Sequence, residues 1–438
     1  PLSITSVLPP ATYQWYRNTT NSNTGGTIID GATNSTYSPT HSVSGSYYFY
    51  VVISTTCGNY TSNASGEVII TNTNVWNGGN GSWDLSTNWL GNVVPLTGAN
   101  IAIPSGTPSL AANTTVGAIT IASGAGVNLN GQTFIINGAL SGTGTFTASS
   151  AAAIQMGAAS SGVLNFNGTN NTLGSLTINN SSVSLGSNLT IANTLNIVSG
   201  YLEMGANTLT IAGSLSGDGS LRGSSSSNLT ITGTGALGTL RMDPTTNETT
   251  NVLNNLTINR TSSGSVDLGN NLLIVSGTLT LTQGDFNIGS NTLRLTGPYI
   301  AGTVNNLKTT ASSQLYLNCT GSGTYTLPAF TNIGVIALNS NSVFNLNSSP
   351  TVASSIYLGT GILSIGANTL TMNGDFGGWI GSIRGGTSSN LILTTSNEAG
   401  NLVMDQTTPG VTNVLNNLTI NKPGKIFSIG RNLIITGT

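Results

Sequence analysis

One histidine, two cysteines and twelve carboxylates bound the chemistry open to this 438-residue chain. His41 is the single histidine and lies near the N-terminus. A Ser-His-Asp or Cys-His nucleophile in the C-terminal three quarters is therefore ruled out, and a histidine-based metal site needs more than one such ligand in most geometries. His41 reads as an exposed or packing residue. Cys57 and Cys319 stand in different regions with no C-x-x-C spacing, so neither a metal site nor a disulfide is expected of them. Glycoside hydrolysis needs two opposed carboxylates. Glu203, Asp285 and Asp375 each sit near a Gly-x-Asn-Thr turn, but some eighty to ninety residues separate them. The best remaining cluster is Asp243 and Glu248 with Arg222 and Arg241. At an offset of 162 residues Arg384 and Asp405 recur, whereas Val403 replaces Arg241 and Gly410 replaces Glu248. Duplication with partial loss reads as a structural ion pair, not a catalytic one. No phosphate-binding loop, dinucleotide fingerprint or Gly-Gly-x-Gly-x-Asp calcium repeat occurs. The expectation is a non-enzyme without catalytic, cofactor or metal residues.

Those residues are set in a repeat. Leu176, Leu256, Ile336 and Leu418 open four cognate strands, spaced 80, 80 and 82 residues apart. Phe134, Leu209, Leu293 and Leu370 follow turns at spacings of 75, 84 and 77. The stretch from Asn251 to Asn259 recurs unchanged from Asn413 to Asn421. Fixed-period self-similarity means one unit stacked on itself. Within it, runs such as Thr278-Leu279-Thr280-Leu281-Thr282 alternate apolar and polar residues, the period of half-buried strands. Gly-Ser, Gly-Asn and Gly-Thr pairs supply the turns. A finer period of about twenty residues (Leu272 to Thr292, Leu189 to Thr208) fits one turn of a parallel β-helix. The competing fold is a string of four β-sandwiches, which these turns are too closely spaced to favour. Asn207, Asn291 and Asn368, each at a Gly-x-Asn-Thr-Leu turn, could stack into an amide ladder.

Charged residues make up 5% of the chain and the net charge is −2. That excludes electrostatic nucleic-acid binding, and no apolar run reaches a membrane span. Three regions separate. Residues 1–72 carry Tyr13-Gln14-Trp15-Tyr16, Gly31-Ala32-Thr33, Thr36-Tyr37-Ser38-Pro39 and Thr61-Ser62-Asn63. A Trp strand followed by a Tyr-rich strand is a pattern of immunoglobulin-like sandwiches, and the stretch resembles the Ig-like modules of large secreted Bacteroidetes proteins. Residues 73–130 hold Trp76, Trp83 and Trp89. This stretch resembles the entry segment of Asn/Thr-rich β-solenoids in secreted bacterial proteins. The indoles read as a structural cap over the first coil, with a sugar-stacking platform as the alternative. Residues 131–438 divide into repeats at about 131–204, 205–288, 289–365 and 366–438, the last one truncated, so the sequence reads as a piece of a longer chain.

The fold expected is all-β: an Ig-like β-sandwich followed by a right-handed parallel β-helix (β-solenoid) of about 80-residue repeats. The resemblance implies a giant extracellular surface protein or adhesin, of a kind often exported by the type IX system, although no sorting domain is visible. The function expected is structural, a stiff stalk or filament at the cell surface. Its candidate partners are further copies of itself, in fibres, and surface glycans. Alternatives are a carbohydrate-binding module, with Tyr201, Tyr299, Tyr316, Tyr325 and Tyr357 as stacking candidates that share no repeat position, and a β-helix polysaccharide-active enzyme. Ice binding is a third, because Thr278, Thr280 and Thr282 form a row. Its match one repeat earlier, Thr194, Asn196 and Val198, makes that array short.

Overall fold

The computed structural model describes residues 2–4, 11–39, 45–70, 73–269, 271–378, 380–394, 400–421, 423–424 and 426–438. His41, Trp379 and Glu398 lie outside them. The chain is all-β with almost no helix. Among the described residues the helical segments are two single 3-10 turns, Ser86–Asn88 and Val304–Asn306. It divides into two compact units, Pro1–Asn74 and Val75–Thr438.

The first unit is antiparallel. Ala11–Asn18 pairs with Gly45–Thr55 from Ala11 opposite Thr55 to Asn18 opposite Tyr48. Gly58–Thr61 and Val68–Ile70 add to the second of these strands. Alternation along them puts Trp15, Tyr47, Phe49, Val51 and Ile53 into a small core. The Trp15 indole N–H donates to the Asn34 carbonyl at 2.9 Å, so its one polar atom is paired.

The second unit is a parallel β-solenoid of about 16 turns. Each strand bonds to its equivalent one turn later, and one ladder of 23 strands runs through the unit. Because the pairing is in register, like residues stack. Leu189, Leu209, Leu229, Leu256 and Leu279 form one inward column. Leu273, Leu293, Leu315, Ile336, Ile356 and Phe376 form another. These columns belong to a single continuous core. Parallel coil-to-coil pairing excludes tandem sandwiches, which are built from antiparallel strands.

Coiling begins earlier than residue 131, where the repetitive part starts in the sequence. Asn100–Ile103 already pairs in parallel with Ile119–Ile121, and Thr114–Val116 with Thr133–Ile136. Strands of three or four residues, broken by Gly and Pro, are too short for a period of two to register. Coil length is also uneven. Leu209 pairs with Leu229, but Leu229 pairs with Leu256 and Leu391 with Leu418. Those two coils each carry an inserted loop.

The period-two reading can be tested on adjacent residues. Leu229 is buried in its column and Thr230 faces outward beside it. Leu229→Ala should cost about 2–5 kcal/mol, and Thr230→Ala less than about 1 kcal/mol. Equal shifts in the thermal midpoints of the two variants would contradict this alternation.

Candidate functional site on the loop-bearing coils

The two inserted loops, 243–251 and 405–413, leave the ladder and must find other partners for their backbone groups. Both are anchored the same way. Arg222 Nε donates to Asp243 Oδ2 at 2.6 Å, and Arg384 Nε to Asp405 Oδ2 at 2.6 Å. The N–H and hydroxyl of Thr245 close on the Asp243 carboxylate at 3.0 and 2.8 Å, and those of Thr407 on Asp405 at 2.9 and 2.9 Å. Thr250 and Thr412 donate their hydroxyls to the carbonyls of Asp243 and Asp405. Asn251 and Asn413 accept the N–H of residue 248 and of residue 410 at 2.8 and 2.7 Å. Both aspartates are 3% exposed at the side chain. Burial alone would push the Asp243 carboxyl up. The Thr245 hydroxyl and N–H and the Arg222 guanidinium outweigh it and hold the group below its ordinary value.

The loops differ at one strained position. Gly410 has φ of 83°, left-handed backbone that costs glycine little. Glu248 takes the same place with φ of 63°, at a cost on the order of 1 kcal/mol for a residue with a Cβ. Its carboxylate accepts from Arg294 Nη1 at 2.6 Å. Arg294 comes from the strand Thr292–Leu295, between the coils of Leu272–Val275 and Gln314–Leu317. Its Nε is buried and has no hydrogen-bond partner among the described residues. The Tyr316 ring lies 5.7 Å from the same guanidinium. Loop and strands enclose a groove of about 350 Å³ lined by Met242, Pro244, Asn247, Asn251, Asn271, Leu272, Thr292, Arg294, Gln314 and Tyr316.

The other residues singled out in the sequence are dispersed. Arg241 does not join Asp243; it faces the exposed Asp218 at 3.8 Å. Glu203 accepts from Ser184, Asp285 pairs with Lys308, and Asp375 accepts from Ser355, each in its own place. Trp76, Trp83 and Trp89 are 1–2% exposed. They meet edge-on at 5.1 and 4.8 Å, and the contacts continue through Phe134, Phe146 and Phe166. With the indoles inside the core, no face is left for sugar stacking.

Asn207, Asn291 and Asn368 do not stack on one another, because they belong to non-adjacent coils. Each donates its amide to two carbonyls, one in its own turn and one a coil back: Asn207 to Met204 and Leu185, Asn291 to Ile288 and Leu268, Asn368 to Ile365 and Leu346. Amide-to-amide contacts occur elsewhere, from Asn255 to Asn228 at 2.8 Å and from Asn417 to Asn390 at 2.9 Å.

Among the tyrosines, Tyr299 is buried beside Tyr325 and Phe344, and Tyr201 lies under Arg222 at 3.5 Å. Tyr316 and Tyr357 do share a place: Arg294, Tyr316, Ala337 and Tyr357 are consecutive in one outward column. Thr280 belongs to a longer array than its neighbours in sequence indicate. Thr172, Thr190, Thr210, Thr230, Thr257 and Thr280 pair one to the next, whereas Thr194 stacks between Ser175 and Ser214 in a different column.

Arg260 escaped the sequence reading. It is 1% exposed and donates to the carbonyls of Gly235, Gly213, Thr232 and Thr234. Burial lowers its pKa from the usual arginine value. Its position directly after the Asn251–Asn259 motif is the one signal that was available. Cys57 is a free, exposed thiol, and burial raises the pKa of the free Cys319 to about 11. No helix among the described residues is long and apolar enough to cross a membrane.

In comparisons with known proteins, no family model, no curated protein and no solved structure matches this chain.

The Asp243 anchor carries an acid prediction. A carboxyl lowered in the folded state stabilises the loop at every pH above its unfolded value of about 3.9, and that contribution is lost as pH falls below it through the folded value. Asp243→Asn should mimic the acid state. Hydrogen exchange of the 243–251 amides should quicken about tenfold or more, consistent with at least 1.5 kcal/mol for charged hydrogen bonds, while the 405–413 loop stays protected. Equal exchange in the variant and the parent would show that the anchor does not hold the loop.

Proposed function

We propose that the chain is a segment of an extracellular structural protein, a stiff stalk or filament that serves adhesion or fibre assembly at a cell surface. The observation that carries this reading is the unbroken core. Columns such as Leu189 to Leu279 and Leu273 to Phe376 run from coil to coil with no gap for a hinge. A rod bent within these coils would have to open such a column to water.

The surface fits the same purpose. With 5% charged residues, its solubility rests on Asn, Ser, Thr and Gly, whose hydration changes little with salt or pH. In this reading the coils wind right-handed, as parallel crossovers do, and group into units of about eighty residues. Residues 1–72 form an Ig-like module, and the three tryptophans cap the first coil. The source expected is a large secreted protein of Bacteroidetes type.

A second reading rests on the threonine column. Hydroxyls repeated on six successive coils, about 4.8 Å apart, offer a regular array to an ordered water lattice.

Electron microscopy of the native material separates these readings from others. Rods or unbranched fibres whose axial period matches paired strands support the stalk, and round particles without a long axis overturn it. Ice recrystallisation assayed with the 438-residue chain tests the second. Inhibition that Thr210→Tyr abolishes would support the array, and growth equal to a buffer control would dismiss it.

A further inference from the structure

We propose that the groove beside the 243–251 loop is a saccharide-binding site, in which Tyr316 carries a sugar ring and Arg294 donates to its hydroxyl oxygens. Its volume of about 350 Å³ lies within the range of small-ligand sites. Asn247, Asn251, Thr292 and Gln314 line it together with the arginine and the tyrosine. One aromatic face among amides and a hydroxyl suits a ring with an apolar C–H face and a hydroxylated rim.

Three observations point to a ligand. The first is Arg294 Nε, a buried donor with no partner among the described residues. Such a group costs stability as it stands; the arginine is kept although one of its donors goes unused, and the quarter of its side chain that stays exposed lines the groove. The second is Glu248, held in left-handed backbone where the sister loop has Gly410. Backbone strain of this kind persists where the surroundings enforce it, and it concentrates at functional sites. What the strain secures here is the 2.6 Å contact that fixes the Arg294 fork. The third is Tyr316, whose ring stands in the groove lining one coil from Arg294, with the guanidinium 5.7 Å from its centroid.

The charge pattern selects a neutral glycan. Arg294 is paired with Glu248, and among the described lining residues there is no second cation to hold a phosphate or sulfate. The assignment does not depend on the stalk reading: a glycan could bind this groove on a rod or on an isolated domain, and its failure would leave the electron-microscopy result unaffected.

The test is affinity electrophoresis of the full 438-residue chain in gels cast with hydroxyethylcellulose, xyloglucan, galactomannan, mixed-linkage β-glucan or polygalacturonate. At least one neutral polymer should retard the protein. Tyr316→Ala and Glu248→Gly should each weaken that retardation roughly tenfold, the loss of one strong contact. Glu248→Gly separates binding from folding. Glycine suits this backbone, so the thermal midpoint should equal or exceed that of the parent while binding falls. Retardation by none of the polymers, or retardation unchanged in both variants, overturns the proposal. So does retardation by polygalacturonate alone that salt abolishes, which would make Arg294 a simple ionic contact.

Discussion

The structure depends on in-register parallel pairing between successive coils. Once a strand bonds to the coil before and the coil after it, every residue acquires a fixed neighbour in each, and the column becomes the unit of selection. Inward columns must be apolar throughout: one polar residue in the Leu189–Leu279 column would lack a partner in both directions. Outward columns tolerate threonine, serine and asparagine, whose short polar side chains repeat without like-charge repulsion. Stacked charges of one sign at about 4.8 Å would repel. The scarcity of charge thus follows from the geometry, with no need to invoke a partner.

Corners are the weak point of such a coil, because the chain turns there and its carbonyls leave the ladder. Asn207, Asn291 and Asn368 each take up two of these carbonyls with one amide group. Arg260 takes up four, which is why a cation can sit in a dry position with no carboxylate paired to it among the described residues. The inserted loops pose the same difficulty over a longer stretch, and there the solution is ionic. Arg222 with Asp243 and Arg384 with Asp405 tie each loop to the preceding coil, and the threonines complete the aspartate's bonds.

Much of this was legible in the sequence. Alternation at Thr278–Thr282, glycine turns and a period near twenty residues define a coiled all-β chain, and the Arg–Asp duplication at an offset of 162 reads correctly as an ion pair. What the sequence could not supply was register. Coils that gain residues, seven from Leu229 to Leu256 and three from Leu256 to Leu279, displace every later equivalence, so a fixed offset of about eighty aligns Thr194 with Thr278 although they occupy different columns. The same drift hid the shared column of Tyr316 and Tyr357, and it made separate carbonyl-capping asparagines look like a ladder. The groove was illegible for a related reason. Its arginine, glutamate and tyrosine come from three coils, and nothing in their spacing marks them as neighbours.

The two loops show how a recognition feature can arise on such a scaffold. A regular coil offers a ligand only a repetitive surface, since each position resembles the one before it. An inserted loop breaks that equivalence and creates a wall. The shared anchor of Asp, Thr and Arg holds the wall in both copies. The difference lies in what each loop adds. Gly410 leaves its loop relaxed and without a side chain, whereas Glu248 accepts an unfavourable backbone and reaches the next strand but one through Arg294. Glycine carries the same left-handed backbone without strain, as Gly410 does in the sister loop. That acid is instead spent on fixing Arg294 in the groove wall, where a saccharide ring on Tyr316 would meet it.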